Sequence, residues 1–312
     1  MKFTSKILIT GATGLLGTAL LNELKKLGFI NILCPNSKEL NLLDSRMVKT
    51  WFETNKPEYI FHLASLVYGL KGNMDNQLKS IHQNTLMNLN LLNTCGEIEV
   101  KKIFFAGTVA SYPYPYPSLP LKEEFFMDGE PHNGEYGYAI AKRHALSYLK
   151  ILKQTKDIDY CYGIFTNLYG INDKFDTDGG HVIPSLIKKS IDAIKSGDKI
   201  LNVWGNKETK RDFLNSKDAA KAALFCMQKI DGIVNISSGI STSMGEIVRH
   251  IQNYFNNDLI IEWDSNAPIG IIERSVSNEK LVSYGFKSGE TIEKGIVETI
   301  EWAENFYENL RY

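Results

Sequence analysis

The chain has 312 residues, 43% apolar and 11% aromatic, enough for one large core or two smaller ones. Its 35 Lys and Arg balance 36 Asp and Glu, and a net charge of −1 excludes a general electrostatic footprint for nucleic acid or an anionic membrane. Cys34, Cys95, Cys161 and Cys226 show no metal spacing, no apolar run reaches the length of a membrane span, and MKFTSKILIT lacks a leader-like core, so a soluble cytoplasmic protein is expected.

KILIT (6–10) reads as a short buried strand and LLGTALLNELKKLG (15–28) as a helix closed by glycine. INILC (30–34) is a second strand, SRMVKTWFETN (45–55) a second helix and YIFHLAS (59–65) a third strand. Residues 78–95 carry helical periodicity and KIFFAG (102–107) is a fourth strand. YGYAIAKR (136–143) opens a helix reaching about Lys153, and CYGIF (161–165) is a fifth strand. This alternation predicts an α/β fold, a Rossmann-type doubly wound parallel sheet covered by helices on both faces. After Phe165 the pattern loosens: 166–181 is polar and turn-rich, helices follow at 184–196, 217–229, 243–255 and 290–308, and strands at 201–204 and 233–238. A dinucleotide-binding domain over 1–165 and a smaller C-terminal substrate lobe over 166–312 are expected, with some later elements returning to the first sheet.

The first strand runs into GATGLLG, residues 11–17. A glycine-rich turn between a strand and a helix lets backbone N–H groups approach a pyrophosphate, and the helix dipole favours its charge. Gly11, Gly14 and Gly17, with Thr13, Leu15 and Leu16 between them, form the expected dinucleotide loop; a tight turn is the plainer alternative. At the end of the second strand an acid would bind ribose hydroxyls and an arginine an extra phosphate. CPNSKEL (34–40) has no acid at the strand end; Asn36 and Ser37 could bond either cofactor, and Lys38 is the only base close by, so NAD and NADP both stay open.

Thr108 stands where the fourth apolar strand ends, before SYPYPYP, and a Y-x-x-x-K spans Tyr138 to Lys142. Four residues apart on a helix, the last two side chains share a face. The Lys142 ammonium is expected to lower the Tyr138 pKa and to reach the ribose of a nicotinamide cofactor. Tyr138 could then exchange the proton that accompanies hydride transfer at a carbonyl or alcohol. The alternative for Thr108 is a turn or helix-cap hydroxyl.

At these motifs the chain resembles the extended short-chain dehydrogenase/reductases of the NAD-dependent epimerase/dehydratase family, and within them the GDP-fucose synthase branch. GATGLLG, ELNLLD (39–44), HLAS (62–65), YAIAK, NLYGINDKF (167–175), HVIPSLI (181–187) and VWGN (203–206) fall in family order over nearly the whole chain. The resemblance implies Thr108, Tyr138 and Lys142 as the catalytic triad. It implies that Leu63, Ala64 and Phe165 to Leu168 border the cofactor. Thr108, Asn167, Lys189, Trp204, Arg211 and Arg274 would hold a GDP-sugar. By residue chemistry alone, Lys189 and Arg211 suit a pyrophosphate or are ordinary surface charge.

Two departures follow. The branch epimerises C3 and C5 of a 4-keto sugar before reducing C4. The resemblance assigns that acid–base work to a cysteine just beyond the catalytic hydroxyl and to a histidine before V-I-P. The histidine is present as His181, but the cysteine position holds Ala110, which has no proton to give. The neighbouring Ser111 hydroxyl is too weak an acid to replace a thiol easily. A positioned acid is worth ~10²–10⁴-fold in rate. The expectation is therefore C4 reduction without full epimerisation, with His181 orienting substrate or cofactor or exchanging one proton. Second, the positions of the branch's 2′-phosphate arginines fall at Thr13 and Pro35. The biosynthetic direction still favours NADP(H) over NAD(H).

The sequence thus predicts an NAD(P)H-dependent C4 reductase of a GDP-4-keto-6-deoxy sugar, hexose or heptose, serving surface or capsular polysaccharide. The alternatives are a complete epimerase–reductase, a silent nucleotide-sensing or scaffold protein, and a 4,6-dehydratase, for which the resemblance would call for an acidic pair where this chain has Val109 and Ala110. Residues Tyr112 to Asn133 are expected to set the choice of sugar. The resemblance implies pairing through the helices at 78–95 and 136–153, and a homodimer is expected, since LMNLNLLNTC is apolar around more of its helix than one buried face requires.

Overall fold

In the computed structural model, which describes residues 1–177, 180–264 and 271–311, the first half of the chain alternates as its apolar pattern requires. The order is β1 (Ile7–Thr10), α1 (Leu15–Lys26), β2 (Ile32–Leu33), α2 (Ser45–Asn55), β3 (Tyr59–His62), α3 (Leu70–Asp75), α4 (Gln77–Cys95), β4 (Lys102–Thr108), α5 (Tyr136–Lys156) and β5 (Asp159–Phe165). There follow β6 (Asn167–Tyr169), α6 (Val182–Ser196), β7 (Ile200–Trp204), β8 (Lys210–Asn215), α7 (Ser216–Lys229), β9 (Gly232–Ile236), β10 (Ser241–Ser243), α8 (Met244–Tyr254), β11 (Ile260–Asp264), β12 (Glu273–Arg274), α9 (Glu279–Ser283) and α10 (Ile292–Asn305).

Six parallel strands form the main sheet in the order β2-β1-β3-β4-β5-β9. The chain reverses its direction of travel between β1 and β3. At such a switch point a crevice opens at the carboxyl ends of the strands, where ligands bind. The register sets Thr10 beside His62, and Thr108 beside Phe165. Side-chain alternation along β1 sends Ile7 and Ile9 into a core with α1 and α7, while Leu8 joins a second core with α2, α4 and α5. A third core gathers Ile183, Ile187, Val203, Ile247 and Ile300 from α6, β7, α8 and α10.

The second half differs from the sequence expectation in detail. Strand β6 lies within the stretch read as turns, and β8, β10, β11 and β12 were not predicted. KRDFLN of β8, STS of β10 and ER of β12 are largely charged or polar and lack a strand's apolar alternation. They pair instead through small sheets, β10-β8-β12 with β6 on β8, and β7 with β11. Strand β2 keeps only two residues of its predicted five. Among the described residues no helix is long and apolar enough to cross a membrane, and no His, Cys, Asp and Glu cluster could hold a metal.

Candidate active site

The loop after β1 is built for close approach. Gly11 has φ +71°, and a Cβ there would lie 2.9 Å from the Ala64 nitrogen; at Gly17 it would lie 2.1 Å from the Gly11 oxygen. Gly14 caps α1 without a side chain, which leaves the first-turn N–H groups open. Leu15 and Leu16 begin that turn, and Thr13 beside them is exposed. This cradle fits a dinucleotide pyrophosphate. Behind it, the Leu63 and Ala64 N–H groups both donate to Thr10 Oγ1 at 3.2 Å. Thr10 in turn bonds His62 Nδ1 at 2.8 Å, and His62 Nε2 bonds Asn88 Oδ1 at 3.0 Å. Because an amide oxygen only accepts, Nε2 carries the proton and Nδ1 accepts from Thr10. Burial, reinforced by the Lys142 charge, pushes His62 down to about 3, so it stays neutral. Asn36 spends its side-chain oxygen on the Lys38 and Glu39 N–H groups, and Lys38 is exposed with no ion-pair partner among the described residues.

Thr108 ends β4 in extended backbone, its Oγ1 accepting from Ala110 N at 3.2 Å. The first turns of α5 bring Tyr138 beside it. Ser65 and Thr108 adjoin the Tyr138 hydroxyl, and both favour its anionic form. Ser65, absent from the sequence-predicted site, donates to Asn84 Oδ1 at 2.8 Å. Lys142 is fully buried, donates to the Ala106 carbonyl at 2.8 Å and lies 5.6 Å from the Tyr138 ring centre. The predicted lowering of Tyr138 by Lys142 is not found. Burial pushes Tyr138 up to about 12 and the Glu135 charge adds to it, against the lowering by Ser65 and Thr108. Burial also brings Lys142 down to about 7, so desolvation outweighs their mutual attraction.

Ala110 is buried and carries no acid, and Ser111 commits its hydroxyl to the Ala139 carbonyl at 3.2 Å. His181 caps α6, 45% exposed, with Nδ1 3.5 Å from Asp173 Oδ1. Its surroundings pull its pKa down, but the bond to Asp173 and that carboxylate's charge outweigh them and hold it above the ordinary value. Phe165 closes β5 in register with Thr108, and Asn167 bonds the Asp212 carbonyl at 3.1 Å, with Leu168 packed against the core beyond it.

The other predicted residues form two pairs. Lys189 Nζ stands 4.6 Å over the Trp204 ring, which is 56% exposed. Arg211 and Arg274 are register partners on β8 and β12. Burial first, then the Arg274 charge, lowers Arg211 to about 10. Arg274 is itself buried: it donates to Tyr116 Oη at 2.6 Å and pairs with Glu135 at 2.5 Å. It thereby ties the proline-rich loop after β4 to the start of α5.

Residues 7–237 match the NAD dependent epimerase/dehydratase family. The chain belongs to that family. It is an NAD(P)-dependent oxidoreductase by family and by the geometry of its loop. GDP-L-colitose synthase of Yersinia pseudotuberculosis is 29% identical over 96% of this chain and 98% of its own length. A Campylobacter jejuni GDP-6-OMe-4-keto-L-xylo-heptose reductase superposes with a TM-score of 0.91 at 26% identity, covering 98% of this family member and 99% of that chain. A Naegleria fowleri GDP-L-fucose synthetase bound to NADP gives 0.90 at 30% identity, covering 100% of this chain and 96% of that one.

Proposed function

We propose that the protein is a C4 reductase of a GDP-4-keto-6-deoxy sugar, hexose or heptose, that uses NADPH and lacks full C3/C5 epimerase activity. One observation carries this reading: Tyr138 stands beside Thr108, Ser65 and Lys142, while Ala110 and the engaged Ser111 leave the place just beyond them without an acid. The cofactor, when bound in the glycine cradle, supplies the hydride. Thr108 would hydrogen-bond the C4 oxygen and fix its distance from Tyr138. Tyr138 gives its proton to that oxygen as the carbon gains hydride, so carbonyl becomes alcohol. The neighbouring Lys142, when it carries its proton, favours the phenolate left on Tyr138.

Lys189 and Trp204 suit a nucleotide, the lysine toward a phosphate and the exposed ring toward a base. Arg211 suits the pyrophosphate, with Arg274 setting its position from behind. We assign 1–165 mainly to the dinucleotide and 166–312 mainly to the sugar nucleotide. Lys38 and the NADP held by the Naegleria relative support NADP(H). We assign the activity to surface-polysaccharide biosynthesis, since the relatives make or convert activated sugars, and the assembly to a homodimer. The test is NADPH oxidation by purified protein given GDP-4-keto sugars. Oxidation with at least one of them is expected; oxidation with none, by protein that binds NADPH, would overturn the reading.

A second reading, the complete 3,5-epimerase/4-reductase, draws on the His181–Asp173 pair, since a histidine held above its ordinary pKa is an acid near neutral pH.

A further inference from the structure

Arg311 lies beyond α10 and reaches back to the cofactor loop. Its backbone forms a parallel bridge with Lys174, and its carbonyl accepts from Phe175 N at 2.7 Å. Its Nη1 donates to the Thr13 carbonyl and to the Asn172 carbonyl, each at 2.9 Å. Asn172, with φ 69°, turns its amide the same way: Nδ2 donates to Thr18 Oγ1 at 3.0 Å and to the Thr13 carbonyl at 3.4 Å. Thr18 Oγ1 donates in turn to the Ala12 carbonyl at 3.2 Å. The other side of the same peptide is also held, since Gly14 N donates to the Gly11 carbonyl at 3.0 Å. The Thr13–Gly14 peptide is therefore clamped at its oxygen by Arg311 and Asn172 and at its nitrogen by Gly11. The open N–H groups of the first turn of α1 begin at the next residue.

We propose that Arg311 is a positioning residue for the dinucleotide, a strap from the second lobe that fixes the orientation of the phosphate-binding turn; this rests on the family's NAD(P) chemistry. Two physical arguments support it. A charged donor shared between two carbonyls is stronger than neutral bonds and resists rotation of the peptide. In addition, the Arg311 guanidinium adjoins the positive end of the α1 dipole. Like-signed potentials there disfavour an empty turn and favour an anion. By linkage, an anion in the cradle strengthens the strap as much as the strap strengthens the anion. The strap runs through Asn172, one residue from the Asp173 that holds His181, so cofactor loop and His181 segment form one hydrogen-bonded unit.

The test is NADPH affinity by protein fluorescence, with steady-state kinetics, for wild type, Arg311→Ala, Arg311→Lys and Asn172→Ala. Arg311→Ala should raise the NADPH Kd and KM about tenfold or more, as expected for losing charge-assisted bonds, while kcat at saturating NADPH falls less than about threefold. Asn172→Ala should move Kd the same way by less, and Arg311→Lys should recover part of the loss. A folded Arg311→Ala protein with wild-type Kd, or one that loses kcat at unchanged Kd, overturns the proposal. If Arg311→Ala does not fold, wild-type Kd in both other variants overturns it. Wild-type protein that binds neither NADPH nor NADH would overturn the cofactor reading along with it, whereas wild-type binding with an indifferent Arg311→Ala faults the strap alone.

Discussion

Ser65, which adjoins the Tyr138 hydroxyl, donates a hydrogen bond to Asn84 Oδ1 at 2.8 Å. Since that oxygen only accepts, Ser65 must donate to it, which leaves Ser65 only its lone pairs toward Tyr138. Asn84 is locked in turn, donating to the Leu66 and Ser80 carbonyls. Loss of Ser65 would remove a polar neighbour that positions the Tyr138 hydroxyl and lowers its pKa. Ser65→Ala should lower kcat about tenfold with NADPH affinity kept, and Tyr138→Phe should lower it ~10²-fold or more. Steady-state rates at saturating NADPH measure both. Wild-type turnover in Ser65→Ala would remove the serine from the proton path.

Lys142 supplies a prediction about pH. Its pKa falls from 10.5 when unfolded to about 7 in the folded protein because burial disfavours the ammonium. Between those values the unfolded chain binds a proton that the folded chain does not. Stability attributable to this site therefore rises with pH from about 7 toward 10. Lys142→Met has no such group. The wild-type minus Lys142→Met difference in urea unfolding free energy should grow as pH rises through that window. A difference that is flat, or that shrinks, would show that the folded lysine keeps its proton.

The main sheet was legible because its strands are apolar and its helices periodic; α2 and α4 fall within a residue of the expected bounds. The inner face of α4 was not. The apolar letters of LMNLNLLNTC suggested an oily surface, yet Ser80, Asn84 and Asn88 turn inward while Leu78 is exposed. Hydropathy cannot see that a polar face is buried when its partners, Ser65 and His62, lie on another element. Spacing gave a usable signal, since 80, 84 and 88 recur at intervals that share one helical face. The triad was visible as a local motif. Its support was not, because residues 10, 62, 65 and 84 meet only once β1, β3 and α4 are side by side. Arg311 was missed for the same reason, being remote in sequence from the loop it touches.

The exposed surface of α4 and α5 leads to a prediction of assembly. Leu78, Tyr136 and Ile151 are exposed there, with Met74 on the neighbouring α3. Burial of such a stripe against a second copy would remove apolar area from water on both. A homodimer is expected by light scattering at micromolar concentration, and Leu78→Glu together with Ile151→Glu should shift it to monomer. A monomer mass for the unaltered protein would contradict the dimer outright.

On the proposed reading, the stereochemical outcome turns on Ala110. Exchange at C3 or C5 of a 4-keto sugar needs a group that removes a proton from carbon and an acid that returns one to the ring face. Thr108 and Tyr138 are committed to the C4 oxygen, and Tyr138, at about 12, holds its proton until that oxygen takes it. Ser111 already donates to the Ala139 carbonyl, and Ala110 has nothing to offer. His181, half-exposed and held by Asp173, has a proton suited to the task. Reduction carried out in D₂O should therefore leave protium at C3 and C5, with hydride added only at C4, as read by mass and NMR of the product. Deuterium at one carbon alone would assign that exchange to His181, and His181→Asn should then abolish it. Deuterium at both carbons at the rate of reduction would mean that another residue replaces the missing acid, and the epimerase–reductase reading would stand in place of the reductase.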